Sequence, residues 1–392
     1  MYKIIPHAYD TEFPWNTTIS ERIEKLLKGK KQGKRNAVYL YELADTSTFR
    51  YRVYNVCQAL DLSIEWNGVY FFASEMKYLI EYIDIIDVLV IARFRWTQEL
   101  SSLISKFKSY GIPVGFESDD MIFDNSEVGL IMNTLSVEES SERYDYWFSY
   151  LGRMERTLQE CDFGITTNDY LSKIMSEKTG KEAYVIKNFM NRLQLEVSDD
   201  YYEQKKRQAS SEKFVIGYFS GTPSHINDFR VVAPELINVL EQCPNAILRI
   251  VGFLTLPKGF EEYVEKGRVE QLQLVNFVDL QQLIAEVDVN IAPLMINRFT
   301  NCKSELKYFE AAAVGTITCA TPTFTFNQSI KNGVDGYLLN QGEWSGKLLE
   351  IYNDKNKNNM EIIKNAKQKS IDNYAFYNMV GDTNAVFDKV SR

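Results

Sequence analysis

The chain has 392 residues, of which 45% are hydrophobic and 13% aromatic, so it is long enough to form two separate cores. Lysine and arginine number 44 against 53 aspartates and glutamates, and the resulting net charge of −9 argues against a broad nucleic-acid interface. Five widely spaced cysteines and only two histidines favour reduced thiols over a disulfide framework or a zinc site. With no signal-peptide pattern and no apolar run long enough to span a bilayer, we expect a cytoplasmic protein.

The first predicted element is a basic amphipathic helix within residues 1–35. Four apolar residues share one helical face and six basic residues gather beside them. The two sets are Ile19, Ile23, Leu26 and Leu27, and Lys25, Lys28, Lys30, Lys31, Lys34 and Arg35. We favour a solvated surface helix, because charge runs usually are solvated. The alternative hypothesis is peripheral, salt-sensitive association with an anionic membrane through residues 19–35.

Strands alternate with helices from residue 37 onwards. Apolar runs predict strands at 37–41, 69–72, 87–91, 113–117 and 163–166. Helical patterns intervene at about 45–60, 100–110, 140–161 and 170–178. This alternation predicts an α/β domain with a parallel sheet, helices on both faces, and ligands at the carboxyl ends of the strands.

Polar residues follow three of these predicted strands, at 45–52, 93–96 and 117–120. Asp45 could cap the helix that follows it. Asp119 and Asp120 could form a catalytic carboxylate pair or cap the next turn, and we favour the cap.

A second α/β domain is predicted after a linker. Residues 193–213 are charged and polar without a clear apolar period, which is typical of a linker. Further strands are predicted at 214–219, 248–252, 273–278, 287–294 and 316–320. The polar turn after the first of them contains Gly221, Thr222 and His225 and suits the approach of a phosphate. His225 is either a cleft residue or an ordinary helix-start residue.

The stretch 287–320 organises the rest of the chain. It predicts a strand, a polar loop, a helix that ends at Gly315, and another strand. Lys303 and Lys307 lie at the start of that helix. Free N–H groups, the helix dipole and two lysines together favour binding of a phosphate.

Two motifs here resemble a known family. The sequences FEAAAVG at 309–315 and NGVDGYL at 332–338 are similar to the donor-binding core of GT-B nucleotide-sugar glycosyltransferases, closest to retaining family 4. The resemblance implies two Rossmann-like domains facing a cleft. These would be an acceptor-side domain at 1–192 and a donor domain at 214–374, with a last helix, 375–392, returning to the first domain.

The resemblance also assigns residues. Glu310 would hold the nucleotide ribose, and the backbone of Lys303 and Ser304 the diphosphate. Cys302 occupies the position, eight residues before Glu310, where the family often has a second glutamate that touches the donor sugar. The other implied donor-side residues are Gly221, Thr222, Gly252, Phe253, Phe277, Val278, Arg298, Asn301 and Lys307. Lys303 and His225 are the catalytic candidates, and the acceptor-side candidates are Thr48, Arg50, Asp119, Asp120 and Asn188.

The function implied is transfer of a sugar, with retention, from a nucleotide sugar to a glycan, lipid-linked or protein acceptor in bacterial surface-polysaccharide or glycoprotein assembly. The sequence has no Asp-x-Asp pair, no G-x-G-x-x-G and no P-loop. We therefore expect no metal and no cofactor, with lysines and helix ends neutralising the diphosphate. The alternative is a non-catalytic GT-B subunit that stabilises or recruits a partner, because Cys302 replaces the glutamate.

Overall fold

The computed structural model describes residues 13–45, 47–207, 212–221, 226–353 and 358–391. Within them lie two six-stranded sheets in which all paired strands are parallel. The first sheet contains β1 (Arg35–Tyr41), β2 (Trp66–Phe72), β3 (Val88–Ala92), β4 (Val114–Glu117), β5 (Phe163–Thr166) and β6 (Ala183–Val185). The second contains β7 (Phe214–Ser220), β8 (Ala246–Gly252), β9 (Val269–Leu272), β10 (Val289–Ala292), β11 (Ile317–Ala320) and β12 (Tyr337–Leu338).

Helices connect the strands of both sheets. Those of the first domain are α1 (Ile19–Lys31), α2 (Asn55–Leu60), α3 (Met76–Glu81), α4 (Gln98–Ser109), α5 (Val128–Thr134), α6 (Ser141–Glu160) and α7 (Asp169–Thr179). A π-helical turn, Arg50–Tyr54, leads directly into α2. After α8 (Arg192–Arg207) come α9 (Ile226–Arg230), α10 (Ala233–Gln242), α11 (Glu261–Glu265), α12 (Phe277–Ala285), α13 (Arg298–Asn301), α14 (Leu306–Ala313), α15 (Phe324–Ser329), α16 (Trp344–Asn353), α17 (Asn358–Tyr374) and α18 (Val380–Val390).

The strand orders confirm the prediction of two doubly wound domains. The first sheet runs β2-β1-β3-β4-β5-β6 and the second β12-β11-β10-β7-β8-β9. Each order reverses once, between β1 and β3 and between β7 and β10. Because ligands of such sheets bind beyond the carboxyl ends at the reversal, the loops after these strands are where a site is expected.

Helix α1 packs its apolar stripe on the first domain. Leu26 is buried in the core that contains β2, and Ile19 and Ile23 pack against that core, whereas Leu27 is 47% exposed. Three of the four apolar residues of the stripe thus pack on the protein, and the helix presents Leu27 and exposed basic side chains outwards. None of the helices formed by the described residues combines the length and apolarity that crossing a bilayer requires.

The range predicted as a linker, 193–213, is mostly helical. Helix α8 fills 192–207, and 208–211 lie outside the described residues. Its buried face includes Gln194 and Ser198 beside Val197 and Tyr201. Because two of the five buried positions of this helix are Gln194 and Ser198, the sequence shows no clear apolar period. Ser198 Oγ donates to Gln281 Oε1 of α12 at 2.9 Å, so the polar positions have partners.

Residues 273–278, predicted as a strand, form the turn before α12 and the first two residues of that helix instead. The strand of this region is β9, four residues earlier in the chain. Asn276 caps α12 by accepting from the backbone N–H groups of Val278 and Asp279 at 2.8 and 2.9 Å. An asparagine followed by an aspartate three positions later is a helix-start signal that the apolar run obscures.

The end of the chain lies against the first domain. Ala375 pairs with Met190 in an isolated bridge, after which the chain continues into α18. The Phe387 ring is 5.2 Å from that of Trp66, whose Nε1 donates to Asp388 Oδ1 at 3.0 Å. Helix α18 therefore ties the C-terminal segment to β2.

We expect Leu26→Ala to lower the free energy of unfolding by about 2–5 kcal/mol, because it leaves a cavity between α1 and the sheet. Leu27→Ala, the neighbouring change on the same helix, should stay within about 0.5 kcal/mol, because its side chain is largely solvated. Chemical denaturation of both variants checks this. Equal effects would contradict the packing of α1.

Candidate functional site

The loop between β10 and α14 joins the two domains. Ser304 Oγ accepts a hydrogen bond from Asn188 Nδ2 at 2.8 Å, and the Cys302 carbonyl accepts one from Asn168 Nδ2 at 2.8 Å. Lys303 Nζ lies 3.3 Å from Asp120 Oδ1. The carboxyl ends of the strands in the first domain thus lie next to the loop that the sequence singled out for phosphate.

Cys302 is part of the first domain's core. It is completely buried, as is Phe299, and both belong to the cluster that packs under the first sheet. Its Sγ lies 3.2 Å from the Arg298 carbonyl oxygen, and burial raises the pKa of the thiol. The position at which the family often has a glutamate therefore anchors the loop and presents no charge to a ligand.

Lys307 and Glu310 lie three residues apart on one face of α14, and Lys303 precedes the helix in its leading loop. Glu305 is the N-cap residue of α14 and accepts a hydrogen bond from Tyr374 Oη at 3.0 Å. Burial raises the pKa of Glu305. The two glutamates of this segment thus have different partners.

Glu310 is held by side chains from outside its own domain. Tyr51 Oη donates to Glu310 Oε1, Gln194 Nε2 lies 3.3 Å from the same oxygen, and Arg50 Nη2 lies 3.7 Å away. The Arg50 guanidinium also covers the rings of Tyr51 at 4.0 Å and Phe277 at 4.6 Å. Arg50, predicted on the acceptor side, is therefore next to the carboxylate assigned to the ribose.

Lys307 is a partly buried cation on the same face. Its ammonium lies 4.8 Å from the centre of the Tyr218 ring at the end of β7, and no described carboxylate comes within ion-pair distance. Burial lowers its pKa to about 8; the charge of Lys303 acts in the same direction, whereas Asp228 and Glu310 oppose it. An anion bound here would gain a counter-charge that the protein has not already neutralised.

A buried relay connects the first domain's interior to Ser304. Arg52 Nε donates to Glu117 Oε1 at 2.5 Å, and Arg52 Nη1 donates to Asn188 Oδ1 at 2.8 Å. Asn188 then donates to Ser304, as described above. Burial raises the pKa of Glu117 to about 7, although Arg52 opposes the shift. The relay positions Ser304 from a carboxylate at the end of β4.

Asp119 lies in a separate polar cluster with Arg93 and Thr48. Arg93 Nη1 donates to Asp119 Oδ1 at 2.8 Å and to Thr48 Oγ1 at 3.1 Å. Burial alone would raise the pKa of Asp119, but the guanidinium groups of Arg93 and Arg52 hold it below its ordinary value. Asp119 and Asp120 both form ion pairs, Asp119 to Arg93 and Asp120 to Lys303.

Two glycines predicted on the donor side end neighbouring strands. Gly221 follows β7, and a Cβ there would meet nothing within 4 Å. Gly252 has a φ of +93° at the end of β8, and a Cβ there would lie 1.9 Å from the Ser220 carbonyl oxygen. Only glycine fits at position 252. Thr222 and His225 lie outside the described residues.

The predicted base-contacting residues divide into two groups. Phe253 is exposed at the end of β8, and Leu274, which the sequence analysis did not select, is exposed beside it after β9. Phe277 and Val278 are buried, and the Phe277 ring lies 5.8 Å from that of Trp15. Phe277 and Val278, which were predicted to contact the base, thus pack at the domain junction with buried side chains.

Arg298 and Asn301 have structural partners. Arg298 forms an ion pair with Glu127 of the first domain. Asn301 Oδ1 accepts from the backbone N–H of Phe324 at 2.9 Å. These contacts hold the loop, and the cation that pairs with Glu310 is Arg50.

Five residues of this region were not assigned a role from the sequence, although four of them lie in the polar ranges 45–52, 93–96 and 117–120: Tyr51, Arg52, Arg93, Glu117 and Gln194. Tyr51 and Arg52 lie in a π-helical turn, a conformation that often marks functional sites but has no sequence signature. Arg93 has a φ of +43°, which is unusual for an arginine and likewise invisible in sequence.

Residues 213–354 match the family model described as Glycosyl transferases group 1, which confirms the resemblance for the second domain. No curated protein matches the chain in sequence. The whole chain shares the GT-B fold of solved glycosyltransferase structures.

Three solved structures illustrate this similarity. Anabaena HepE in complex with UDP-glucose is 13% identical over 90% of this chain and 99% of its own, with a TM-score of 0.57. Sucrose-phosphate synthase from Thermosynechococcus elongatus is 12% identical over 91% and 99%, with a TM-score of 0.59. Pneumococcal O-GlcNAc transferase GtfA in complex with UDP and GlcNAc is 11% identical over 82% and 61%, with a TM-score of 0.52. At these identities the similarity establishes the fold.

The buried Glu117 carboxyl predicts a pH dependence of stability. The unfolded chain releases this proton near its ordinary pKa of about 4.5, whereas the folded chain keeps it up to about pH 7. Its contribution is therefore complete below pH 4.5 and lost as the pH rises to 7. We expect the wild type to lose stability relative to Glu117→Gln between pH 5 and pH 7, measured by denaturant unfolding. A constant difference between the two proteins would contradict this.

Proposed function

We propose that the protein transfers a sugar from a nucleoside diphosphate donor to a hydroxyl acceptor, with retention of anomeric configuration and without a metal. The observation that carries this proposal is the Lys307 ammonium in the first turn of α14, which no described carboxylate reaches at ion-pair distance. The match of residues 213–354 to Glycosyl transferases group 1 and the shared GT-B fold support it.

The diphosphate would lie against the start of α14. Lys307 supplies a charge that no described carboxylate takes up, and Lys303 can exchange its 3.3 Å contact with Asp120 for a phosphate oxygen. The N–H groups in the first turn of α14, an eight-residue helix, add to the attraction for the diphosphate. Charge that develops on the departing diphosphate is stabilised by these same groups.

The nucleoside would lie between the ends of β8 and β9 and Glu310. Glu310 accepts hydrogen bonds from Tyr51 and Gln194, and ribose hydroxyls can replace these donors with the same chemistry. Phe253 and Leu274 offer exposed apolar surface to a base at the neighbouring strand ends. Binding would then require Arg50 and Tyr51 to shift, which couples the first domain to the donor.

The acceptor would approach from the Arg93–Asp119 side. Asp119 is ionised and held by Arg93, so it suits a hydrogen bond from a sugar hydroxyl better than abstraction of a proton. Proton removal is then left to the leaving phosphate. A sugar or protein hydroxyl in bacterial surface-polysaccharide or glycoprotein assembly is the acceptor class we propose, in keeping with pneumococcal GtfA, an O-GlcNAc transferase.

A second proposal is a non-catalytic subunit. It is favoured by Cys302, which is buried in the first domain and leaves the donor sugar without the family's usual glutamate. Binding of a nucleotide sugar without turnover in the presence of any acceptor would favour this proposal over catalysis.

Calorimetric titration with UDP and other nucleoside diphosphates, with and without a chelator, tests the function. We expect saturable binding that the chelator leaves unchanged, because lysines and helix N–H groups supply the positive charge. Absence of binding by every nucleotide would overturn the proposed donor site. Loss of binding in chelator alone would overturn only its independence of metal.

Glu310→Gln should weaken nucleotide binding by about 1.5–3 kcal/mol, because a charged acceptor for the ribose hydroxyls is lost. The matched control is Glu305→Gln, which removes the charge of the other buried glutamate of the same segment, the one bonded to Tyr374. Glutamine can still accept from Tyr51 or Tyr374, so both variants should fold. Equal affinity of the two variants would contradict the assignment of Glu310.

We expect the affinity for a nucleoside diphosphate to fall above pH 8, because Lys307 loses its charge there. Its lowered pKa means that the free protein loses this charge as the pH rises through about 8, and the loss removes a charge-assisted hydrogen bond. Lys307→Arg keeps its charge throughout this range and should show no such fall. Titrations from pH 7 to about pH 9 compare the two proteins. A parallel decline in both would place the titrating group elsewhere.

A further inference from the structure

The first half of α6 stands away from the body of the protein. All buried residues of this helix, Leu151, Met154, Thr157 and Leu158, lie in its second half. No residue from 141 to 150 is buried. At 1.5 Å per residue this exposed half is about 15 Å long.

Half of the residues in this exposed part are aromatic: Tyr144, Tyr146, Trp147, Phe148 and Tyr150, here called the aromatic end. Tyr144, Tyr146 and Phe148 are 46%, 56% and 47% exposed. Tyr144 stacks on Phe148 at 6.3 Å and Tyr146 on Tyr150 at 6.4 Å, so the rings form ordered pairs. An exposed apolar surface of this extent on a helix usually marks a binding surface.

The aromatic end continues directly from the acceptor side of the cleft. The Arg95 guanidinium lies 6.0 Å from the Tyr150 ring and is held by Glu42, which follows β1. Arg153 Nε donates to the Trp96 carbonyl oxygen at 2.9 Å, which fixes α6 to the loop after β3. The same loop contains Arg93, the partner of Asp119.

Charge decides between possible occupants of this surface. Residues 138–150 contain four acidic side chains and one arginine. An anionic membrane or a nucleic acid would be repelled, and a second copy related by a two-fold axis would oppose like charges. A neutral sugar chain fits, because aromatic rings stack on the C–H faces of sugar rings while carboxylates accept hydrogen bonds from hydroxyls.

We propose that the aromatic end is an acceptor subsite that binds a neutral oligosaccharide as it leaves the cleft. This proposal rests on the proposed transfer reaction and names its acceptor as an extended glycan. Aromatic side chains with two rotatable torsions lose little entropy when they bind, so a row of them suits a repetitive chain.

The test is direct binding of immobilised neutral oligosaccharides, namely gluco-, galacto-, manno- and N-acetylglucosamine oligomers with their monosaccharides, to the full chain. We expect binding of a long oligomer over its monosaccharide. Tyr144→Ala with Phe148→Ala should weaken that binding by about tenfold or more. Tyr144→Phe with Phe148→Tyr, which keeps both rings, should restore it.

The matched control is Tyr110→Ala at the end of α4. This tyrosine is 49% exposed and precedes β4, so it lies towards the amino ends of the strands. It should bind as the wild type does. Nucleotide affinity, measured on the same proteins, should be unchanged in all of them, so a failed donor site is distinguished from a failed subsite.

Failure of the wild type to bind any oligosaccharide, or equal binding by the double alanine variant, overturns the subsite. The subsite is also overturned if the wild type sediments as a dimer and the double alanine variant as a monomer, because a second copy would then cover the surface. Co-sedimentation with phosphatidylcholine vesicles that the variant loses would overturn it in favour of a lipid surface.

Discussion

The arrangement of the site depends on one buried carboxylate, that of Glu310, which requires hydrogen-bond and charge partners. Glu310 is only 10% exposed by its side chain, and leaving such a charge unpaired in an interior would cost several kcal/mol. Its partners, Tyr51, Gln194 and Arg50, come from the first domain and from α8. Side chains from outside the second domain thus complete the surroundings of Glu310. Any ligand that takes the Glu310 carboxylate must compete with these contacts.

This constraint explains why the domains share a core. Phe277 and Phe309 of the second domain pack in one cluster with Trp15 and Tyr51 of the first. On the other side, Phe299 and Cys302 insert into the first domain's own core. Apolar burial on two sides of the cleft holds the loop before α14 between fixed walls. A shift of Arg50 and Tyr51 on donor binding would therefore move part of an interface that is otherwise tightly packed.

The sequence predicts the fold and the central stretch well, because both depend on local patterns. The strands alternate with helices, and Lys307 and Glu310 share a face of α14 at a spacing that is visible in the sequence. Failures occur where a residue's partner is distant in sequence. The stripe of α1 could face a membrane or a sheet, and only the fold shows that Leu26 is buried against β2. Helix α8 was missed because Gln194 and Ser198 face inwards to distant polar partners. The relay from Glu117 to Ser304 was missed for the same reason. Its members are far apart in sequence and come into contact only where the end of β4 lies near the loop before α14.

Cys302 shows how a lost charge can change the role of a position. A glutamate at 302 would have to leave the core or remain there at high cost, because the site is apolar and completely enclosed. A buried cysteine, together with Phe299, instead fixes the loop that carries Lys303 and Ser304. In the proposed reaction, this anchor and the relay through Asn188 would position the diphosphate. The Asp120–Lys303 contact lies at that junction and joins the acceptor side to the phosphate side, so both substrates would meet at one ion pair.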